Sequence, residues 1–373
     1  MIFTKNERKI HYMGAILEYK CPCCSGPLQF DTDAQKMKCP YCDNEFDAET
    51  LKSNDDILKE EKPDMMDWSS QPGNEWMQGE LEGQKVYLCN SCGGQIVCDD
   101  TTGATDCPYC GSPVVMVGQF AGDKRPDIII PFKLDKEAAK NGFKQHLCKK
   151  RLLPKAFRTD SYIDDIKGVY VPFWLYDAHA DAQAYFHGTK VKSWSDDKYN
   201  YTKTSHYRLY RNGSMDYERV PVDGSSKIAD DLMESLEPFT ADGEVAFQTA
   251  YLSGYIADKY DVDSNESNGR ANERIKKSTL DRLTSTTNDF TSVTTESSSV
   301  QLDNGTVKYA LYPVWLLTAK WNGDIYNFAM NGQTGKFVGN LPMDKGAYWR
   351  WTGLIALIAT VAALAVSAFV LLN

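Results

Sequence analysis

The sequence predicts a multidomain chain: two small β units each tied together by four cysteines, an α+β domain with an antiparallel sheet, and one C-terminal transmembrane helix. Three observations predict it. Four Cys-x-x-Cys pairs fall in the first third of the 373 residues, alternating strand patterns and turn dipeptides fill the middle, and residues 351–372 carry no charged side chain. The boundaries they suggest are an N-terminal extension (1–17), Cys units (18–46 and 85–117) separated by an acidic linker (47–84), the α+β domain (118–343), and a juxtamembrane segment with its helix (344–373). A formal charge of -10 and a pI near 5.1 disfavour a nucleic-acid binder built on a global basic field.

The cysteine spacing carries the most chemistry. Cys21, Cys24, Cys39 and Cys42 repeat as Cys89, Cys92, Cys107 and Cys110 at a constant offset of 68 residues, and CPCCSGPLQFDTDAQKMKCPYCDNEF aligns with CNSCGGQIVCDDTTGATDCPYCGSPV without a gap. Each Cys-x-x-Cys makes a tight turn, and two turns on facing hairpins supply four thiolates at the ~2.3 Å tetrahedral geometry of zinc. These are zinc ribbons, expected to hold two structural Zn²⁺ ions and to fold only with them, because so short a segment cannot bury a sufficient core. Iron suits the same four sulfurs; zinc is favoured because a closed four-thiolate site is its usual structural arrangement. Such a site keeps no open coordination position, so no catalytic metal is expected. Of the other cysteines, Cys23 has Ser91 at its equivalent place, while Cys98 and Cys148 read as small buried hydrophobes. Residues 18–46 carry five acidic and three basic side chains and 85–114 three and one, so phosphate contact by the ribbons is unfavourable.

Residues 47–84 are acidic and turn-rich, the pattern of a mobile linker, with Trp68 and Trp76 expected to pack on a neighbouring domain. From Asp127 the composition turns globular. DIIIPF reads as a buried strand, and the following segment as a helix capped by Asp135 with Ala139, Phe143 and Leu147 on one face. Further amphipathic helices are predicted over 227–236 (Ile228, Leu232, Leu236) and 268–283 (Ala271, Ile275, Leu283). Pro-x-Trp-Leu occurs twice, at Pro172–Leu175 and Pro313–Leu316, a second and fainter duplication. Turns at Asp303-Asn304-Gly305, Trp321-Asn322-Gly323 and Asn331-Gly332 suggest an antiparallel meander over 291–340.

Catalytic motifs are missing from this domain. GQTGKF at 332–337 lacks the length and the Ser/Thr of a phosphate loop, and Asp261, Asp263 and Asn265 begin a calcium loop that Glu266 and Asn272 break. Asp177, His179 and Asp181 alternate on one strand face, where a surface strand is favoured over a hydrolase acid-base pair. The stretch 198–211 interleaves Tyr201, Tyr207 and Tyr210 with Lys203, Arg208 and Arg211; ordinary sheet-edge decoration is favoured there over base stacking or contact with anionic lipid.

Residues 351–372 span about 33 Å as a helix, against a hydrocarbon core of ~30 Å. Tyr348, Trp349 and Trp351 stand where an interfacial belt belongs, flanked by Lys345 and Arg350. With no secretory signal in residues 1–20 and only Asn373 after the span, a tail-anchored protein with its bulk in the cytoplasm is expected. Small residues recur every four positions at Thr352, Ala356 and Thr360 and at Ala359, Ala363 and Ser367, a weak signal for a homo-oligomer.

Through ILEYKCPCCSG, KMKCPYCDNEF, DCPYCGSP, IIIPFKLDKEAAK and PVWLL with FAMNGQTGKFVG, the chain resembles the bacterial membrane-anchored zinc-ribbon proteins of transcription-factor-IIB (TFIIB) type. The likeness runs from about residue 14 to the end. It implies a membrane scaffold that recruits SPFH-domain (stomatin/prohibitin/flotillin-type) proteins, and with them phage-shock-protein-A-like remodellers, in envelope stress. The expected function is therefore a non-enzymatic adaptor; the alternative is a membrane-tethered nucleic-acid-binding regulator.

Overall fold

The computed structural model describes residues 21, 26–47, 51, 63–69, 71–77, 79–99, 106–119, 124–154, 157, 165–339 and 342–372. The expectations for residues 1–17, Cys23 and Cys24 lie outside them. In chain order the strands are β1 (Gln29–Asp31), β2 (Lys36–Lys38), β3 (Glu45–Phe46), β4 (Gln84–Leu88), β5 (Gln95–Asp99), β6 (Val115–Gln119), β7 (Ile128–Ile129), β8 (Lys167–Ser195), β9 (Asn200–Asp223), β10 (Val245–Ala246), β11 (Ile256–Asp258), β12 (Ser292–Trp321), β13 (Asp324–Asn331) and β14 (Phe337–Gly339). The helices are α1 (Lys136–Cys148), α2 (Asp230–Ser235), α3 (Ser264–Thr284) and α4 (Lys345–Leu372). The chain divides into two units, one of Met66–Ala180, Ser214–Thr279 and Leu302–Asn373, the other of Met1–Met65, Asp181–Gly213 and Leu280–Gln301.

In the larger unit a sheet runs β10-β7-β12-β8-β11-β5-β4-β6. The runs VYVPFWLY of β8 and YALYPVWLL of β12 are buried throughout, the pattern of strands covered on both faces. The sheet is mixed rather than antiparallel: β7 pairs parallel with β12, and β11 with β8. Turn dipeptides report only local hairpins, so the sequence was silent on these pairings of distant segments. Helix α1 forms as its pattern predicts, with Asp135 accepting from the Ala138 amide (2.7 Å) and Ala139, Phe143 and Leu147 buried. Cys148, expected inside, is exposed; Leu147 takes the buried position, and one residue further is about 100° around the helix. Helix α3 begins four residues earlier than its apolar pattern because Asp263 and Glu266 form a reciprocal capping box.

Both Pro-x-Trp-Leu segments are built alike. The Pro172 carbonyl accepts from the Gly224 amide (2.9 Å) and the Pro313 carbonyl from the Gly332 amide (2.8 Å), so each strand is closed by a glycine that ends the next hairpin. The Trp174 indole donates to the Val262 carbonyl (2.9 Å) and that of Trp315 to the Leu134 carbonyl (3.1 Å). Before each glycine stands a buried polar residue, Asp223 in one copy and Asn331 in the other.

Asn331 is satisfied on every side, donating to the Leu236 and Pro238 carbonyls and accepting from the Gln333 and Thr334 amides. Asp223 accepts from Arg270 (2.9 Å) through one oxygen, while the other is buried without a partner. Burial pushes its pKa up to about 6, against the pull of Arg270. The unfolded chain ionises this carboxyl near pH 4. Between these values the folded state holds the extra proton, so the group costs stability as pH rises and the full cost is present above about pH 7. Asp223→Asn is therefore expected to gain about 1 kcal/mol on wild type between pH 5 and pH 8, measured by urea denaturation at both. A gap that does not change with pH would refute it.

Part of the stretch read as linker is held down. The Trp68 ring meets Tyr176 edge-on at 4.7 Å and donates to Asn272 Oδ1, and Trp76 meets Phe247 at 5.8 Å, as the packing expectation had it. This also corrects one predicted turn. Strand β12 runs straight through Asp303-Asn304-Gly305, with Asn304 at φ 56°; a Cβ on Gly305 would lie 2.9 Å from the Trp68 ring and from the Asp67 carbonyl. That glycine serves close approach, not a hairpin.

In the smaller unit, β1, β2 and β3 form an antiparallel three-stranded sheet. Residues 181–213 of β8 and β9 form a hairpin whose turn is closed by the Asp196 amide on the Tyr199 carbonyl (2.9 Å). Trp194 stacks on Tyr201 at 5.5 Å and both are exposed. Arg208 is committed to Glu296 (3.0 Å) and lies over the Tyr185 ring, while Arg211 donates to Thr286. These are internal contacts of a decorated sheet.

Candidate metal centre

Each knuckle is shaped by the backbone before its sulfurs are considered. The amides of Cys39, Cys89 and Cys107 donate to the carbonyls of Asn44, Gly94 and Ser112 five residues on, at 2.9, 2.9 and 2.8 Å. The amide four residues on, of Asp43, Gly93 or Gly111, returns to each cysteine carbonyl, which requires a positive φ of 56°, 72° or 62°. At the remaining knuckle, the Cys21 amide makes the same first bond to Gly26 (2.7 Å).

The turns bring the sulfurs together. Cys89, Cys92, Cys107 and Cys110 have all four Sγ atoms within 4.8 Å of one another, with Cys89–Cys110 at 3.5 Å and Cys92–Cys107 at 3.6 Å. Tetrahedral zinc at ~2.3 Å from each sulfur needs separations of about 3.8 Å, whereas a disulfide needs about 2 Å, so the donor set fits a metal ion and no disulfide is formed. Cys21, Cys39 and Cys42 gather in the same way, with Cys21–Cys42 at 3.5 Å; Cys24, the expected fourth ligand, lies outside the described residues. Two clusters can thus each hold a metal ion.

Their surroundings differ. In the second ribbon β5 pairs with β11 (Ala257↔Val97, Asp258↔Ile96), and β11 pairs with β8, so the ribbon forms one end of the large sheet. Ile96, Cys98 and Tyr109 join the apolar cluster that holds Val169, Phe173 and Val314. Nothing in the cysteine spacing anticipates this docking, which pairs segments far apart in sequence. Around the buried Tyr109 hydroxyl lie Asp258, which accepts from Ser225 (2.6 Å) and is pushed up to about 7 by burial, and Asp261, which is bonded to Lys227 (2.6 Å). Two cations stand by the cluster: Lys227, bonded to Asp261, and Lys167, which burial holds below its usual pKa and which lines one pocket with Cys107 while its amine donates to the Asp106 carbonyl (2.7 Å). They offset the negative charge that a metal with four thiolates would carry.

At the strand-face candidate the described contacts of Asp177 and His179 go to different partners. Asp177 accepts from the Arg219 amide (2.6 Å) and from Lys308 (2.9 Å), whereas His179 pairs with Asp216 (2.5 Å), so the strand-face pair is divided between two separate contacts.

Comparison with known proteins places this architecture. Protein YdjG of Bacillus subtilis (strain 168), itself uncharacterized, is 32% identical over 342 residues, covering 91% of this chain and 94% of YdjG. The chain belongs to the YdjG family. So few residues lie outside the match that likeness to YdjG takes in the second ribbon and the sheet together. No protein-family profile and no solved structure matches the chain.

Proposed function

We propose that the protein is a non-enzymatic adaptor, anchored in a membrane by α4, that recruits partner proteins through its first ribbon. The observation that carries this reading is a contrast between two copies of one unit. Tyr109 in the second ribbon is 4% exposed and Cys98 1%, whereas their equivalents in the first, Tyr41 and Phe30, are 74% and 53% exposed. The surface that one copy buries in its own chain is presented by the other to solvent. Apolar side chains left uncovered at a duplicated docking position suit a protein partner, and the acidic ribbon charge disfavours phosphate. Helix α4 is long and apolar enough to cross a membrane, and four-thiolate sites suit a reducing compartment, which supports a cytoplasmic side for the ribbons. The resemblance to TFIIB-type ribbon proteins supplies the partner class: SPFH-domain proteins, with phage-shock-protein-A-like remodellers behind them.

Crosslinking in intact cells, detergent extraction and mass spectrometry test this. Wild type is expected to capture an SPFH-type protein that Phe30→Ser/Tyr41→Ser loses while keeping its metal, and that Cys39→Ser/Cys107→Ser also loses. Recovery of lipid and the chain alone, or full capture by the Phe30/Tyr41 variant, would sink the reading. Recovery of nucleic acid instead, abolished by Arg208→Glu/Arg211→Glu and by salt, would install the regulator alternative.

A further inference from the structure

Helix α4 leaves the larger unit in a fixed attitude. Asp344 caps it by accepting from the Ala347 amide (2.9 Å), and the Asp344 amide donates to the Leu152 carbonyl (2.8 Å). The Arg151 guanidinium lies 4.9 Å over the Trp351 ring. The residues that follow α1 are thereby set against the first two turns of α4. They read Lys149-Lys150-Arg151, all exposed, and from His146 to Pro154 the chain has no acidic residue. Lys345 and Arg350 are exposed on α4 itself, beside exposed Tyr348 and Trp349. The field of this cluster is felt locally: burial, then Lys150 and Lys149, holds His146 below its usual pKa. Asp344, at the start of α4, is engaged in the helix cap.

Depth follows from helix geometry. Trp351 opens the uncharged run, and Lys345 lies six residues earlier, about 9 Å along the axis, against about 5–8 Å for one headgroup layer. Arg350, the aromatic pair and Arg151 beside Trp351 therefore stand at headgroup level when the uncharged run fills the hydrocarbon, with Lys149 and Lys150 adjoining Arg151 and Lys345 just outside the layer, within reach of it through its long side chain. We propose that Lys149, Lys150 and Arg151, together with Lys345 and Arg350, form a collar around the membrane entry of α4 that binds anionic phospholipid headgroups in preference to zwitterionic ones. Three of the five come from a segment two hundred residues away in sequence, which is why a scan of the residues flanking the span finds only two. The inference rests on α4 spanning a bilayer and is independent of any partner of the ribbons.

Full-length protein is reconstituted into vesicles of brominated phosphatidylcholine, whose bromine quenches tryptophans at the bilayer. Unbrominated phosphatidylglycerol or phosphatidylcholine is then titrated in, and relief of quenching reports which lipid replaces the brominated one beside α4. Phosphatidylglycerol is expected to be preferred about three- to tenfold in wild type. That preference falls toward one in Lys149→Gln/Lys150→Gln/Arg151→Gln and in 1 M NaCl. Lys149→Gln/Lys150→Gln, which spares the Arg151–Trp351 contact, loses most of it, and Lys192→Gln/Lys203→Gln in the other unit loses none. Equal relief by the two lipids in wild type, or a preference surviving the triple variant, overturns the collar. If brominated lipid quenches nothing, α4 is outside the bilayer, and the anchor reading falls first.

Discussion

Cys107→Ser is expected to lower the metal content from two ions per chain to one and to lower the melting temperature of the larger unit by at least about 15 °C. A structural zinc in a four-cysteine site contributes about 10–16 kcal/mol, as much as or more than the 5–15 kcal/mol by which a whole domain is usually stable. In a free-standing ribbon that loss would stay local. Here β5 is hydrogen-bonded to β11 and β11 to β8, and Ile96, Cys98 and Tyr109 sit in the same apolar cluster as Val169 and Phe173, so the ribbon cannot melt without uncovering the sheet. Hydrogen exchange should accordingly rise in Ile256–Asp258 and Val169–Tyr170 as well as in the knuckles. Cys39→Ser removes the other ion, and its effect is expected to stay within the smaller unit, to which the first ribbon belongs. Metal analysis, circular dichroism melts and exchange mass spectrometry read these quantities. A Cys107→Ser protein that melts within about 2 °C of wild type would show that the metal site is an ornament on an independently stable sheet.

Particular residues show what the sequence made legible. Cysteine spacing located the described members of both clusters, because a four-thiolate site demands two fixed pairs, and the apolar faces of α1 and α3 could be read because helical periodicity is local. The repeated Pro-x-Trp-Leu was visible as a pattern, but its shared hydrogen bond to Gly224 or Gly332 depends on where each following hairpin ends. Pairings between distant segments left no trace: the parallel partners of β7 and β11, the union of the second ribbon with the sheet, and Lys149–Arg151 beside α4. Gly305 misled because Asp-Asn-Gly is a strong turn signal, and the competing need for it, the Trp68 ring, lies in a segment whose composition looked unstructured. Tyr41 and Tyr109 occupy identical sequence settings and opposite environments, a difference that only tertiary docking creates.

Trp174→Ala is expected to cost about 3–5 kcal/mol, with Trp315→Ala in the same range, as deletion of a buried aromatic does. Trp174 is 2% exposed and packs at 5.0 Å from Tyr309 and 5.1 Å from Tyr260; Trp315 packs at 5.0 Å from Phe132 and 6.1 Å from Tyr255. Each therefore joins its strand to two aromatic neighbours. Trp174→Phe separates the two contributions, because phenylalanine keeps most of the apolar contact but leaves the Val262 carbonyl without its donor. That change should cost about 1–3 kcal/mol, less than the alanine substitution. Trp194→Ala is the control: Trp194 also packs against a tyrosine ring, but at an exposed hairpin, and its loss should stay within about 0.5 kcal/mol. Urea denaturation monitored by circular dichroism ranks the four variants. If Trp174→Phe proves as damaging as Trp174→Ala, the hydrogen bond rather than the packing holds the repeat together; if Trp194→Ala costs as much as either, burial is not what distinguishes the two motif tryptophans.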